Sequence, residues 1–291
     1  MACFFSGCSW VRFESRLLPL CVFAALLAGC QKDDHPPFAA GCTSSSDCKP
    51  TVGISIGSGG TTTPITNPPD GGFSAGNLTG NVLELNDATF NRAVPFMQSA
   101  TVSADGVNGI AVTASWDGTN PFMLSGVAIE PSNFVAVSPL AAQGDAMQTI
   151  QAVQTNVTDT ADLFVIDSTV IDGILTAVAM TRGPAFGQVV LFLQNAGTGQ
   201  PLSGMRATMT LSEAPAFASA SGWVTPDDTT VTDASGLVMF GNVEPPTGGG
   251  TTQTVTVSRV ATATVSAIGP ISFPVKVVEG AATLATVGVR L

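Results

Sequence analysis

From residue 77 onward the chain alternates short apolar runs with turn residues. Runs of strand length, rich in Val, Thr, Ile, Leu and Phe, fall at 79–85, 100–104, 110–115, 122–127, 134–138 and 147–157. Asn86-Asp87, Asp105-Gly106, Asn108-Gly109, Asp117-Gly118 and Pro131-Ser132-Asn133 stand between them. These residues favour tight turns, because Gly accepts left-handed backbone and Asx side chains bond the chain just ahead. A second series follows at 188–194, 206–211, 229–232, 237–240, 254–258, 262–267, 274–278 and 282–291, with turns at 195–200 and 233–236 and a loop at 245–250. Strand-length runs at this spacing predict a β-sandwich in each series.

Between the series the period changes. Ile171, Ile174, Leu175 and Val178 recur at helical spacing. Asp167 or Ser168 can cap the start, and Gly183-Pro184 stops the end. A short helix is expected there, packing its apolar face on a sandwich and fixing the angle between units. The chain is therefore read as all-β, with two tandem β-sandwich units joined by a short helical bridge. The units share a local pattern. Asp117-Gly118 leads into an apolar strand ending Gly126-Val127, and Asp233-Ala234-Ser235-Gly236 leads into one ending Asn242-Val243. A distant internal duplication is the expectation.

The N-terminal quarter has a different texture. Arg12 and Arg16 precede the apolar segment 17–29, which is short for a membrane span and ends in small residues. This is the form of an export signal. Residues 1–10 fit it poorly, because Cys3, Cys8 and Trp10 add length without positive charge, and Val11 is the expected start of translation. Residues 30–76 are rich in Gly, Ser, Thr and Pro and cannot bury a core. They are read as a flexible tether, spanning roughly 35–40 Å as a random coil. The expected organisation is a signal peptide over 1–29, tether 30–76, first sandwich 77–157, bridge 158–185 and second sandwich 186–291.

Composition narrows the function classes. Net charge is −11, and charged residues make up only 11% of the 291. An acidic chain without basic runs repels phosphate backbones, so nucleic acid is not an expected partner. A transmembrane β-barrel is also excluded, since the chain has no Tyr for aromatic girdles and its strand runs are short. Six cysteines are present. Cys3, Cys8 and Cys21 fall in the removed segment, and Cys30 follows it directly. Cys42 and Cys48 remain as an even pair, which in an oxidising compartment reads as a disulfide. It would close a loop contributing roughly 2 kcal/mol of local restraint. A metal site built from Cys42, Cys48 and His35 lacks a fourth ligand and the usual tight spacing, so no metal is expected.

Candidate chemistry is sparse. His35, the single histidine, lies in the tether, which removes His-based nucleophilic catalysis. Asp227-Asp228, Asp159 with Asp162, and Asp167 with Asp172 are the carboxylate pairs open to acid–base work or Ca²⁺. Each sits among turn residues, where Asp serves the backbone, and none has EF-hand spacing. Trp116 and Trp223 could stack on sugars, or fill a sandwich core. Lys276, the lysine of the sandwich region, is placed too late in the chain for a covalent Lys–Asn crosslink. No catalytic residue and no cofactor is expected.

Two resemblances add to this picture. Leu27-Ala28-Gly29-Cys30 resembles the lipobox of bacterial lipoproteins at every position. The resemblance implies a diacylglyceryl group on Cys30, cleavage after Gly29, and acylation of the new N-terminus. Gln31 in place of Asp implies the outer membrane, on its periplasmic face or the cell surface. Further on, Gly199-Gln200-Pro201-Leu202-Ser203-Gly204, then Thr232-Asp233-Ala234-Ser235-Gly236 and Phe240-Gly241-Asn242-Val243, is similar to carboxypeptidase regulatory-like domains. That resemblance implies a prealbumin-like or Ig-like sandwich and no activity, since the enzyme residues of those carboxypeptidases lie in another domain. The expected function is structural or interaction-mediating, with an unknown envelope or extracellular protein or glycan as partner. The alternative is a surface adhesin or a glycan- or peptide-binding module.

Overall fold

The structure, a computed structural model, describes residues 53–56, 75–130, 133–140, 145–155, 158–210, 212–219, 222–226, 230–247, 252–261 and 266–290. In the first half the strands are β1 (Gly53–Ile56), β2 (Ala75–Gly80), β3 (Val82–Leu85), β4 (Ala93–Pro95), β5 (Ala100–Asp105), β6 (Ala111–Trp116) and β7 (Phe122–Ala128). Then come β8 (Asn133–Pro139), β9 (Ala146–Met147), β10 (Thr149–Val153), β11 (Thr158–Thr160) and β12 (Leu163–Asp167), followed by helix α1 (Ser168–Ala177). The second half holds β13 (Gly187–Asn195), β14 (Arg206–Met209), β15 (Ser212–Ser219), β16 (Gly222–Val224), β17 (Leu237–Val243), β18 (Thr252–Arg259), β19 (Ile268–Lys276) and β20 (Ala282–Val289).

The all-β expectation holds, with sandwich halves on either side of one helix. What the sequence did not announce is that the halves share a sheet. One ten-stranded sheet runs β16-β15-β17-β13-β20-β10-β8-β5-β6, with β1 alongside β20. Its join is β20, which pairs in parallel with β13 over its full length and with β10 through Ala282–Leu284. Three smaller sheets, β11-β2-β7, β4-β3-β12-β9 and β14-β18-β19, pack around it.

Three apolar cores separate these layers. In the second half, Val189, Leu191, Val238, Phe240, Ala285 and Val287 face sheet β14-β18-β19 across one core. The alternate residues Val190, Leu237, Met239, Ala282 and Leu284 point the opposite way, into a core shared with α1, β3 and β12. Successive side chains on a strand point to opposite faces, so β13, β17 and β20 are apolar at both parities because both their faces are covered. β12 is a second such wall. Phe164 and Ile166 enter the α1 core, while Leu163 and Val165 enter the core of the first half with Val102, Phe122, Leu124, Val135 and Val137.

Several sequence expectations change in detail. The run at 79–85 is two strands, not one. It breaks at Asn81, and β2 and β3 join different sheets. Gly80 permits the break: a Cβ there would lie 1.9 Å from the Ala161 carbonyl oxygen. The run at 147–157 breaks likewise into β9 and β10. The bridge at 158–185 contains β11 and β12 as well as the helix, because Leu163-Phe164-Val165-Ile166 pairs in parallel with β3. Gly53–Ile56, within the stretch read as tether, is a strand. Residues 230–232 are not a strand, while β15 is one. Of the run expected over 262–267, residues 266 and 267 are not strand and 262–265 lie outside the described set, while the run expected over 274–278 begins earlier, as β19 from Ile268.

The helix starts and faces as expected, but it ends at Ala177, short of the expected stop at Gly183-Pro184. The Asp167 carboxylate accepts the Thr169 N–H at 2.8 Å, an N-cap, and Val170, Ile171, Ile174 and Leu175 are buried. At the other end the Met180 N–H donates to the Leu175 carbonyl at 2.8 Å and the Ala179 N–H to Thr176 at 3.0 Å. This is a Schellman cap, with Ala179 in the left-handed position (φ 56) where glycine is usual. Asn242 then holds the exit segment. Its side chain accepts the Gly183 N–H at 2.9 Å and donates to the Thr181 carbonyl at 3.0 Å.

The repeated pattern marks a shared local geometry. Gly126 (φ 81) and Asn242 (φ 49) each precede a buried Val, and the ladder shifts register beside each. Both are β-bulges, in which one extra residue bends the strand. The strands differ in position: β7 edges a three-stranded sheet, and β17 lies inside the ten-stranded one.

Candidate functional site

Cys30, His35, Cys42, Cys48, Asp227 and Asp228 lie outside the described residues. The remaining candidates occupy distinct places and do not converge. Among the described residues, no three His, Cys, Asp or Glu side chains group as metal ligands.

The carboxylates serve turns and caps. Asp117 is the fullest case. One of its oxygens accepts the backbone N–H groups of Thr119 and Asn120, both at 2.8 Å, and the other accepts from Asn120 Nδ2 at 2.7 Å. Donors favour the ionised form, so these bonds, the Asn120 backbone N–H foremost, hold its pKa well below the usual Asp range. The same D-x-[ST] device recurs at Asp87 with Thr89, Asp167 with Thr169 and Asp233 with Ser235, each accepting the N–H two residues on at 2.8 Å. The spacing is legible in the sequence and means Asx-turn, not acid–base chemistry. Of the proposed pairs, Asp162 accepts from Asn81 Nδ2 at 3.0 Å, steadying the β2–β3 break. Asp172 is clamped by Arg182 through Nε at 2.8 Å and Nη2 at 3.2 Å, so it faces away from the role in which it was paired with Asp167.

One carboxyl was missed. Glu84 on β3 is half-buried, and desolvation, with the Asp167 carboxylate adding to it, raises its pKa above the ordinary value. A lone Glu in Val82-Leu83-Glu84-Leu85 was the available signal. It stands on β3 between Leu83 and Leu85 of the α1 core, and Val82 of the same strand enters the core of the first half.

The two candidate tryptophans, Trp116 and Trp223, serve the fold. Trp116 is 3% exposed and donates Nε1–H to the Phe96 carbonyl at 2.9 Å. Trp223 donates to the Ala88 carbonyl at 2.9 Å and meets Phe90 edge-on at 6.4 Å. Phe90 is buried, stacks edge-on against Phe192 at 5.9 Å, and takes φ 51, a costly value for a bulky residue. This aromatic clamp ties the loop after β3 to the second half. Beside it lies a small depression of about 20 Å³, room for about one water, lined by Phe90, Asn91, Phe192, Gln194, Pro201 and Ser235 among others. None of its lining residues ionises, so it cannot move a proton.

The motif pair in the second half does meet. The Thr232 hydroxyl donates to the Leu202 carbonyl at 2.8 Å and accepts the Met205 N–H at 3.0 Å, while the Gly204 N–H donates to the Thr232 carbonyl at 2.8 Å. Gly236 (φ 67) approaches the Leu193 carbonyl so closely that a Cβ would stand 2.4 Å from it. These residues close one end of a sandwich and present no reactive group.

The remaining feature is an edge. β6 ends the ten-stranded sheet, and among the described strands it pairs with β5 alone. Ala111-Val112-Thr113-Ala114-Ser115-Trp116 carries no charge and no Pro, the usual guards of an edge. Ile110, just before it, is 69% exposed.

No protein-family profile matches the chain, and no curated protein sequence matches it. The resemblance to carboxypeptidase regulatory-like domains thus rests on the quoted residues. Solved structures with some likeness include the shaft pilin SpaA from Lactobacillus rhamnosus GG, at 10% identity and a TM-score of 0.22, covering 73% of this chain and 98% of the pilin. A streptococcal ancillary pilin is 13% identical with a TM-score of 0.25, covering 75% of this chain and 70% of that one. The Bacillus anthracis TIE protein is 13% identical with a TM-score of 0.20, and the match covers 75% of this chain and 34% of that longer one. At these values the likeness adds nothing to the sandwich architecture read from the strands themselves.

Proposed function

We propose that this is a lipid-anchored cell-envelope protein whose β-sandwich halves act structurally or mediate interactions, without catalysis. Leu27-Ala28-Gly29-Cys30, at the end of the apolar segment 17–29, is the observation that carries the reading. Cys30 is the attachment point, on the outer membrane, and Cys42 and Cys48 form a disulfide near it. Burying acyl chains is worth about 0.8 kcal/mol per CH₂, so two or three chains hold a protein on a membrane lastingly where one does not. The absence of catalysis is supported by what the carboxylates do: Asp87, Asp117, Asp167 and Asp233 bond their own turns or cap, and Asp172 is paired with Arg182. Metabolic labelling with a fatty-acid analogue tests the anchor. Wild type incorporates label and resists a high-salt wash from membranes; a Cys30→Ala variant that still does both refutes the reading.

A peptide-binding role is the second reading, and the uncharged edge of β6 favours it. An extended peptide would add a strand there through main-chain hydrogen bonds. Thr113, exposed on that edge, gives the test. Thr113→Lys should abolish capture of an extended peptide by intact cells, and unchanged capture removes β6 from consideration.

A further inference from the structure

On the side of β20 away from β13, two segments share the ladder. Thr149–Gln151 of β10 pair with Ala282–Leu284, and β10 then turns away from β20. The place beside Thr286–Val289 is taken by β1, also parallel, with Gly53 opposite Thr286 and Ile56 opposite Val289. The acceptor is a fixed part of the fold: Thr286, Val287 and Val289 are buried, and β13 pairs with all of β20 on the other side. The donor comes from the stretch rich in Gly, Ser, Thr and Pro, and Gly57-Ser58-Gly59-Gly60 follows it directly.

Three features make this donor exchangeable. First, the pairing is parallel, so no hairpin turn ties donor to acceptor. Second, residues 57–74 separate β1 from β2. Fully extended they reach about 60 Å, enough to serve a neighbouring molecule. Third, a long connection gives β1 only a finite effective concentration at its own slot, so neighbouring copies compete once their local concentration approaches it.

We propose that the slot beside Thr286–Val289 is a strand-addition site whose occupant can be Gly53–Ile56 of a second copy of this chain, linking copies by strand exchange. The proposal goes beyond the envelope reading and does not depend on lipid attachment. A copy that donates its strand accepts one in turn, so the link closes as a two-fold dimer or continues as a row.

The test uses the full chain. One preparation carries Gly53→Cys and a second carries Thr286→Cys, a near-isosteric change at a buried position. The two are mixed, oxidised, digested and analysed by mass spectrometry for the 53–286 disulfide. Ile56→Cys with Val289→Cys repeats the measurement at the other end of the ladder, in case one pair impairs folding. Expected is a disulfide-linked species of twice the chain mass, growing with protein concentration. Adding Ile54→Pro and Ser55→Pro together to the donor preparation should lower it by at least about tenfold, since one of two successive N–H groups on a strand faces β20 and Pro cannot donate it. If chains carrying both cysteines form the bond internally while mixed single variants never form it, exchange does not occur and the proposal falls. It falls equally if neither experiment gives the bond at either end of the ladder.

Discussion

Swapping residue types at two positions of the helical segment should stabilise the protein twice over. Gly173 is exposed in the middle of α1, and nothing lies within 4 Å of where its Cβ would project. Replacing Gly with Ala in an exposed helix interior is worth about 1 kcal/mol, because the unfolded chain has less freedom to lose. Ala179 is the opposite case. It holds φ 56 in the Schellman cap, and it too is exposed. Left-handed backbone costs an L-residue roughly 1–2 kcal/mol. Ala179→Gly relieves that strain and returns about 0.5–1 kcal/mol of unfolded-state freedom, leaving a net gain of about 0.5–1 kcal/mol. The two sites share no partner, so the double variant should gain about 1.5–2 kcal/mol, or about 3–8 °C in Tm for a domain of this size. Urea denaturation gives the measurement, with the midpoint rising at constant m-value. Ala177→Gly is the control: residue 177 is helical and exposed, and should lose about 0.5–1 kcal/mol. If Ala179→Gly destabilises as the control does, residue 179 is not left-handed and the cap is wrong. If Gly173→Ala is neutral, that face of α1 is not free.

Further tests address the clamp, the sandwich end and the carboxyls. Phe90→Ala removes a buried ring and both of its edge-on contacts, and should cost about 3–5 kcal/mol by denaturation, the range for Phe deletions in cores. Gly236→Ala places a Cβ against the Leu193 carbonyl at positive φ and should cost more than about 1 kcal/mol; a neutral result would mean that turn has another conformation. Acid should act on Asp117 and Glu84 with opposite signs. The depressed pKa of Asp117 contributes stability above the unfolded Asp value, lost as pH falls through the folded one, and Asp117→Asn should remove that acid dependence. The raised pKa of Glu84 makes stability fall as pH rises from the unfolded value of 4.5 through the folded one, so Glu84→Gln should raise stability at pH 7. Carboxyl NMR titrations that place both groups at ordinary values would refute this pair of predictions.

Much of the fold was legible where local signals suffice. The D-x-[ST] turns, the helix at 168–177 and the runs at 100–104, 122–127 and 188–194 follow from patterns a few residues long. What was not legible depends on partners far away in sequence. Leu163-Phe164-Val165-Ile166 reads equally as strand or buried helix, and its strand character comes from β3 some 80 residues earlier. β15, Ser-Glu-Ala-Pro-Ala-Phe-Ala-Ser, has weak intrinsic strand preference and a proline, and is a strand because β17 pairs with it. The joining of two sandwiches through β20 has no local signature beyond apolar residues at both parities. For the candidate sites, the Asp spacing was readable as turn chemistry, whereas the clamp of Phe90, Phe192 and Trp223 was not, since its members are dispersed over the sequence.

The join at β20 also sets an order of events during synthesis. Ribosomes deliver residues 75–153 well before residues 282–289, yet β10 and β13 are neighbours only through that late strand. Until it arrives, both half-sheets carry an open apolar edge, the kind of surface on which nascent chains aggregate. Such long-range closure predicts slow, late-committing folding. It also makes the molecule its own quality check, because a chain cut short before Ala282 leaves both halves incomplete and open to proteolysis.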